Sequence, residues 1–298
     1  MTDLSIIIVT YNTLEITRTC IEKLYANLLK STLKVEIIVV DNDSKDDTLK
    51  MLEEVKRSKP TDKIGFSIIR SKKNIGFAGG NNIGVAQAVG RYLLFLNSDL
   101  YIDQNLDFKD LILWMTENSN VGVLTVRVNL EDGTLDAACH RGFPTPWRSL
   151  TYFLKLEKLF GSVPLINRIF GGYHLTYLNL NQTHEIDSPQ GSFYLTRTDL
   201  FKRVGGFSED FFMYGEELDL SIRIKKLGYK IYYYPKYSVT HLKYQSGLKT
   251  DDKEIRQRTK DHFYSAMKIF YKKHYAQSYP SFFNNLVYVG IDLKRKIS

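Results

Sequence analysis

Four short apolar runs, each cut off by polar residues, set what this chain can fold into. Ser5 to Tyr11 contains Ile6-Ile7-Ile8-Val9 and stops at Tyr11-Asn12. Val35 to Val40 stops at Asp41-Asn42-Asp43-Ser44, Phe66 to Ile69 is shorter, and Arg91 to Asp99 ends on the acid itself. Such runs read as strands buried on both faces, as in a parallel sheet. The segments between them read as helices; Leu14 to Leu29, for example, carries Ile16, Cys20, Leu24 and Leu28 at helical spacing. Strand and helix alternate four times, which argues for an α/β fold with right-handed crossovers. Ligands of such sheets bind beyond the carboxyl ends of the strands, so Asp99 falls where a ligand would be met.

The rest of the chain is less regular. Asp46 and Asp47 are placed to cap a helix running to about Arg57, and Asn74 to Gly84 reads as a glycine-rich loop leading into a helix around Val85 to Val89. After a strand at Val121–Val128 and a turn at Glu131–Thr134, residues 143–180 are rich in aromatics, Leu and Lys. One amphipathic helix is expected there, near Leu150–Phe160. Further on, strands are expected at Ser192–Thr196 and Lys230–Tyr234, the latter stopped by Pro235. Helices are expected at Asp199–Val204 and Leu218–Leu227, followed by a basic amphipathic helix over Glu254–His274.

At 298 residues the chain has room for one large domain with an appendage. Its 41 Lys+Arg against 33 Asp+Glu favour an anionic partner, without choosing among nucleotide diphosphate, lipid phosphate, membrane and nucleic acid. The basic residues are dispersed among acids and no nucleic-acid-binding motif is present, so no nucleic acid partner is expected. Cys20 and Cys139 have neither metal spacing nor a disulfide framework, which points to a reducing cytoplasm. No signal peptide is visible and no apolar run approaches the ~20 residues of a membrane span, so a soluble or peripheral protein is expected.

Several residues carry two readings each. The Asn74–Asn82 stretch lacks the spacing of a dinucleotide fingerprint and the Lys-Ser/Thr pair of a P-loop. It is either a flexible turn or a loop whose glycines let backbone approach a ligand. Asp41 is a helix cap or an acceptor for a base N–H; Asp99 is a turn aspartate or a carboxylate for Mg²⁺ or Mn²⁺, hard cations that prefer oxygen. Glu216, Glu217 and Asp219 are first-turn acids favoured by a helix dipole, or a proton acceptor among them.

Taken together, these segments resemble the family 2 glycosyltransferases of the GT-A fold, and within them the bacterial rhamnosyltransferase-like branch. The resemblance rests on Ser5-Ile-Ile-Ile-Val-Thr-Tyr-Asn12, Val40-Asp-Asn-Asp-Ser44, Asn74-Ile-Gly-Phe-Ala-Gly-Gly-Asn-Asn-Ile-Gly84 and Leu96-Asn-Ser-Asp99. It continues through Gln190-Gly191-Ser192-Phe193, Gly205-Gly-Phe207, Phe211-Phe-Met-Tyr-Gly-Glu-Glu-Leu-Asp-Leu220 and His241, and spans roughly residues 5 to 275.

The resemblance implies a mostly parallel central sheet flanked by helices, with a catalytic domain over 1–250, an acceptor-side insert at 143–185 and a helical extension over 251–298. It implies nucleotide-sugar binding by Thr10, Tyr11, Asn12, Asp41, Asp43, Asn74, Phe77, Asn81, Asn97, Ser98, Gln190 and Gly191. Asp99 and His241 would hold a divalent metal, and Glu217 would be the general base, with Glu216 and Asp219 as rivals. Asn97 and Glu217 each stand where the family usually has Asp. The implied reaction is inverting transfer of a rhamnose-like deoxyhexose or hexose from dTDP-rhamnose or a UDP-sugar. A hydroxyl of a glycan or lipid-linked saccharide would receive it, in cell-surface polysaccharide synthesis. Lys268, Lys272, Lys273, Lys294, Arg295 and Lys296 would either draw the chain to an anionic membrane or form a solvated helix face. A nucleotide-sugar binding protein without catalysis is the alternative.

Overall fold

The computed structural model describes residues 1–58, 63–242 and 253–297. Strands β1 (Leu4–Thr10), β2 (Val35–Asp41), β3 (Ile64–Arg70) and β4 (Tyr92–Leu96) lie parallel in the order β3-β2-β1-β4. Ile6, Ile7, Ile8, Val39, Leu94 and Phe95 are fully buried, as uninterrupted apolar runs require when helices cover both faces. Because β1 and β2 pair in register to their ends, Thr10 and Asp41 stand side by side at one edge.

Beyond β4 the sheet becomes mixed. β5 (Leu100–Ile102), β6 (Val121–Leu130), β7 (His184–Ile186), β8 (Phe193–Arg197) and β9 (Lys230–His241) complete it. β8 runs antiparallel to β4 and β6, β9 runs parallel to β6, and β5 and β7 are antiparallel to β9. β9 does not stop at Pro235 as the sequence suggested. Val126 faces Tyr234 and the next residue, Arg127, faces Ser238, so Pro235, Lys236 and Tyr237 are accommodated in a bulge where proline's missing N–H breaks no ladder bond. The strand therefore reaches His241, which pairs with Leu100, the neighbour of Asp99.

The helices are α1 (Leu14–Leu28), α2 (Thr48–Ser58), α3 (Gly76–Gln87), α4 (Phe108–Glu117), α5 (Pro146–Phe153), α6 (Leu156–Phe160), α7 (Ile166–Phe170), α8 (Thr198–Arg203), α9 (Glu216–Lys226), α10 (Lys253–His274) and α11 (Ser281–Ile297). The glycine-rich segment corrects the sequence reading: it is the helix α3, rather than a loop before one. Its glycines are helical because the helix lies tight on the sheet. A Cβ on Gly84 would come within 2.5 Å of Ile7 Cγ2, and one on Gly80 within 2.9 Å of Val9 Cγ1. The single helix expected near residues 150–160 is two, broken at Lys155, whose φ of 58° interrupts the helical path. It also begins earlier, with Pro146 in its first turn and the Thr145 hydroxyl accepting the Arg148 N–H at 3.3 Å.

Phe211, Leu218 and Ile222 form a second apolar cluster with Ala266 and Phe270, which seats α10 on α9. The expected domain boundary at residues 250/251 lies outside the described residues. No helix among the described residues is long and apolar enough to cross a membrane.

Candidate active site

At the ends of β1 and β2, Asp41 is buried, and its Oδ2 has no hydrogen-bond partner among the described residues. Its Oδ1 accepts only a long bond from the Ser44 N–H, at 3.4 Å. An orphaned buried carboxylate oxygen is costly, and a ligand N–H is one way to satisfy it. The Thr10 hydroxyl is engaged by those of Thr13 and Thr17, each at 2.8 Å, at the start of α1. Tyr11 is exposed. Asn12 and Asp43 both have positive φ, and the Asn12 carboxamide oxygen accepts the Lys45 N–H at 2.7 Å while Asp43 pairs with Lys45 Nζ.

Asn42, which sequence reasoning did not single out, ties this edge to α3. Its Nδ2 donates to Asn74 Oδ1 (3.0 Å) and to the Gly76 carbonyl (3.1 Å), and its Oδ1 accepts the Ile75 N–H. Gly76 has φ 78°, and a Cβ there would lie 2.1 Å from the Phe212 carbonyl oxygen. That same carbonyl accepts the Phe77 N–H at 2.8 Å, capping the first turn of α3. Asn81 is fully buried, with its amide bonded to the Phe77 carbonyl and its Oδ1 unpartnered among the described residues.

Residues 190–192 bridge the two halves of the site. A Cβ on Gly191 would lie 3.1 Å from the Phe77 ring and 3.9 Å from Glu216 Oε1, so all three meet. The Asn97 N–H donates to the Ser192 carbonyl at 3.0 Å, which brings the Asn97-Ser98-Asp99 turn alongside. Gln190 Nε2, Ser192 Oγ and Asn97 Oδ1 are buried without partners among the described residues.

Asp99 and His241 face one another across β5 and β9, with His241 Nε2 3.2 Å from Asp99 Oδ1. The other ring nitrogen lies 3.0 Å from Asp136 Oδ2, a fully buried carboxylate that the sequence reading missed. Burial opposes a charge on His241, but its hydrogen bonds to Asp136 and Asp99 outweigh this and push its pKa up to about 9. A metal-binding histidine is commonly oriented by such a carboxylate behind it. Asp99 and His241 Nε2 fit as two donors for a divalent cation once the cation displaces the Nε2 proton that Asp99 otherwise holds. No group of three or more His, Cys, Asp or Glu side chains suited to a metal occurs among the described residues. The remaining coordination would have to come from diphosphate oxygens or water.

The three acids at the start of α9 have different surroundings. Tyr214 and Gly215 both have positive φ and turn the chain sharply into the helix. Glu217 is buried, forms an ion pair with Arg141, and accepts the Gly215 N–H at 3.1 Å. Burial, then the neighbouring Glu217 charge, raises the Glu216 carboxyl well above the usual carboxylate range, and its Oε2 has no partner among the described residues. Asp219 is bonded to Arg223 (2.7 Å), His274 (2.9 Å) and Lys273 (3.3 Å). Burial works against its charge, but the His274 hydrogen bond and the Arg223 charge overcome that and lower its pKa to about 2. Its lone pairs are thus already occupied in joining α9 to α10. Neither Arg141 nor Asp136 carries a local signal in the sequence; each meets its partner only through tertiary folding.

The sequence and the fold have counterparts. The chain matches the profile described as "Glycosyl transferase family 2" over residues 5–179 and that described as "Glycosyl transferase family group 2" over residues 125–291. It is 29% identical to the low-salt glycan biosynthesis hexosyltransferase of Haloferax volcanii over 229 residues, covering 75% of this chain and 62% of that protein's length. It is 26% identical to the rhamnosyltransferase WbbL of Escherichia coli over 256 residues, covering 82% of this chain and 86% of the relative. Its fold is similar to that of the mannosyltransferase of Pyrobaculum calidifontis solved with GDP-Man and Mn²⁺, with a TM-score of 0.57 at 15% identity over 91% of this chain and 63% of that one. The fold is GT-A, a central sheet flanked by helices. With that first profile matching more than half its length, the chain belongs to glycosyl transferase family 2.

Proposed function

We propose that this chain is an inverting glycosyltransferase, moving a rhamnose-like deoxyhexose or a hexose from a nucleoside-diphosphate sugar to a hydroxyl of a glycan or lipid-linked saccharide in cell-surface polysaccharide synthesis. The observation that carries the reading is the meeting of Phe77, Gly191 and Glu216, which sets the acids of α9 against the start of α3. Asp41 binds the base through its unpartnered oxygen, and Asn74, Phe77 and Asn81 flank the ribose and phosphates. Tyr11, Asn12, Asp43, Asn97, Ser98, Gln190 and Gly191 line the rest of the donor side.

Glu217 takes the proton of the acceptor hydroxyl as that oxygen bonds to the anomeric carbon. The bond from that carbon to the donor phosphate breaks, and the nucleoside diphosphate leaves with the electron pair. Attack from the face opposite the leaving group inverts the anomeric centre. A divalent cation held by Asp99 and His241 would offset the charge that grows on the departing diphosphate. Peripheral contact with an anionic membrane, on the cytoplasmic side, would bring the enzyme to a lipid-linked acceptor.

A screen of dTDP-rhamnose and UDP-sugars for nucleotide release, with and without Mn²⁺, tests the reading. Metal-dependent release from one donor is expected. Saturable donor binding with no release from any donor, even with lipid-linked saccharides supplied, would mark a binding protein instead.

A further inference from the structure

A groove of about 770 Å³ runs between α5, α10 and α11 and ends on the Arg141–Glu217 ion pair. Its walls are apolar: Trp147 and Leu150 from α5, Phe263 and Met267 from α10, Phe283 and Leu286 from α11. Besides that pair, the charged lining residue is Lys294, which lies over the Phe153 ring at 5.8 Å. So large an apolar recess is far more than a sugar hydroxyl needs, since pockets of this volume usually bury most of a ligand's surface.

The outer face of α11 supplies the second observation. Phe282, Leu286, Val289, Leu293 and Ile297 recur at helical spacing and are all more than half exposed. Leu286, Leu293 and Ile297 also line the groove, so the recess opens along this stripe. Lys294, Arg295 and Lys296 follow in the same last turn. An apolar stripe beside clustered cations is the composition of a helix lying in an anionic lipid surface. At the inner end, the buried Arg141 keeps an Nε without a partner among the described residues, a donor suited to a phosphate oxygen.

We infer that this groove holds the isoprenoid chain of a polyprenyl-diphosphate-linked saccharide, with its phosphates toward Arg141 and its sugar hydroxyl toward Glu217. The inference rests on the reading of the chain as a glycosyltransferase and names the class of acceptor for that site. The chain enters along Leu286, Leu293 and Ile297, and its apolar contacts fix the sugar's approach to the base.

Farnesyl diphosphate, a soluble isoprenoid diphosphate, tests this without any donor present. Trp147 and Trp114 are the two tryptophans, and Trp147 lines the groove while Trp114 packs on Tyr232 and Tyr234. Saturable quenching and a blue shift are expected in the native chain and should vanish in Trp147→Phe. Leu286→Lys, at an exposed position, should weaken binding by about tenfold, the loss of one apolar side-chain contact. Equal binding of inorganic diphosphate, or an unaltered affinity in Leu286→Lys, would overturn the inference. So would light scattering showing that the groove is closed by a second copy. Donor hydrolysis, followed separately, registers a failure of the enzymatic reading itself, because it needs no acceptor.

Discussion

Glu217 and Arg141, 76 residues apart in sequence, form an ion pair inside the protein, at the inner end of the groove between α5, α10 and α11. The pair joins the start of α9 to the strand-like segment before α5, where Arg141 bridges to Ser188. One residue of the pair belongs to a motif visible in the sequence, and the other to a stretch with no motif at all.

Breaking that pair leaves a buried charge without compensation. Arg141→Met is expected to destabilise the fold by about 3–5 kcal/mol, and the double variant Arg141→Met/Glu217→Gln to recover much of it. Urea unfolding of the native chain, both single variants and the double variant measures the coupling. Additive losses would mean that the two side chains do not interact.

Glu217→Gln should leave nucleotide binding intact while turnover falls by about 10²–10⁴, the usual contribution of a general base. Asp219→Asn should instead lower the melting temperature, since Asp219 holds Arg223 and His274. Calorimetry for nucleoside diphosphate alongside steady-state rates separates the effects. If Asp219→Asn abolishes turnover with stability unchanged and Glu217→Gln stays active, the proton is taken elsewhere.

Asp136 reaches the proposed cation site through His241, whose Nδ1 lies 3.0 Å from its Oδ2. Asp136→Asn is expected to weaken Mn²⁺-dependent nucleotide binding by about 10–100-fold, as loss of an outer-shell partner commonly does. Titrating Mn²⁺ at fixed nucleoside diphosphate gives the measurement, and an unshifted midpoint would exclude this role.

His140 and His184 meet at 2.5 Å through their Nε2 atoms, a contact that requires at least one neutral ring. Burial, then the neighbouring His184, lowers the His140 pKa to about 4. Between the ordinary histidine value of about 6.5 and that value, the unfolded chain takes up a proton that the folded chain refuses. Stability therefore falls as pH drops through this window, by at most about 3 kcal/mol, and levels off below it. The difference in urea midpoint between the native chain and His140→Gln should change across the window; parallel curves would show that the pair does not titrate this way.

The close approach of α3 to the sheet gives a fourth handle on the fold. Gly84→Ala puts a methyl group 2.5 Å from Ile7 Cγ2, deep in the core. A loss of about 1–3 kcal/mol is expected from such overpacking. Thermal unfolding reads it directly, and an unchanged melting temperature would mean that the helix can lift off β1.

The strands were legible where burial on two faces leaves an uninterrupted apolar run, as in β1, β2 and β4. α3 was hidden because glycine is a poor helix former locally, and its close contact with Ile7, Val9 and Val40 becomes visible only in the fold. Pro235 ended the expected strand early because a bulge is a property of two paired strands, of which the sequence displays one at a time. The acids at 41, 99 and 216–219 stood out because they follow strands or open a helix. Arg141, Asp136 and Asn42 did not, since what marks each is a partner brought near by folding.

The Phe212 carbonyl pressed against Gly76 has a consequence for how donor preference can change. Any side chain at position 76 would push the 211–215 turn aside, and with it the acids that follow. New sugars must then be accommodated by substitutions elsewhere around the rim, while this one glycine stays fixed as the hinge pin between reagent and acid.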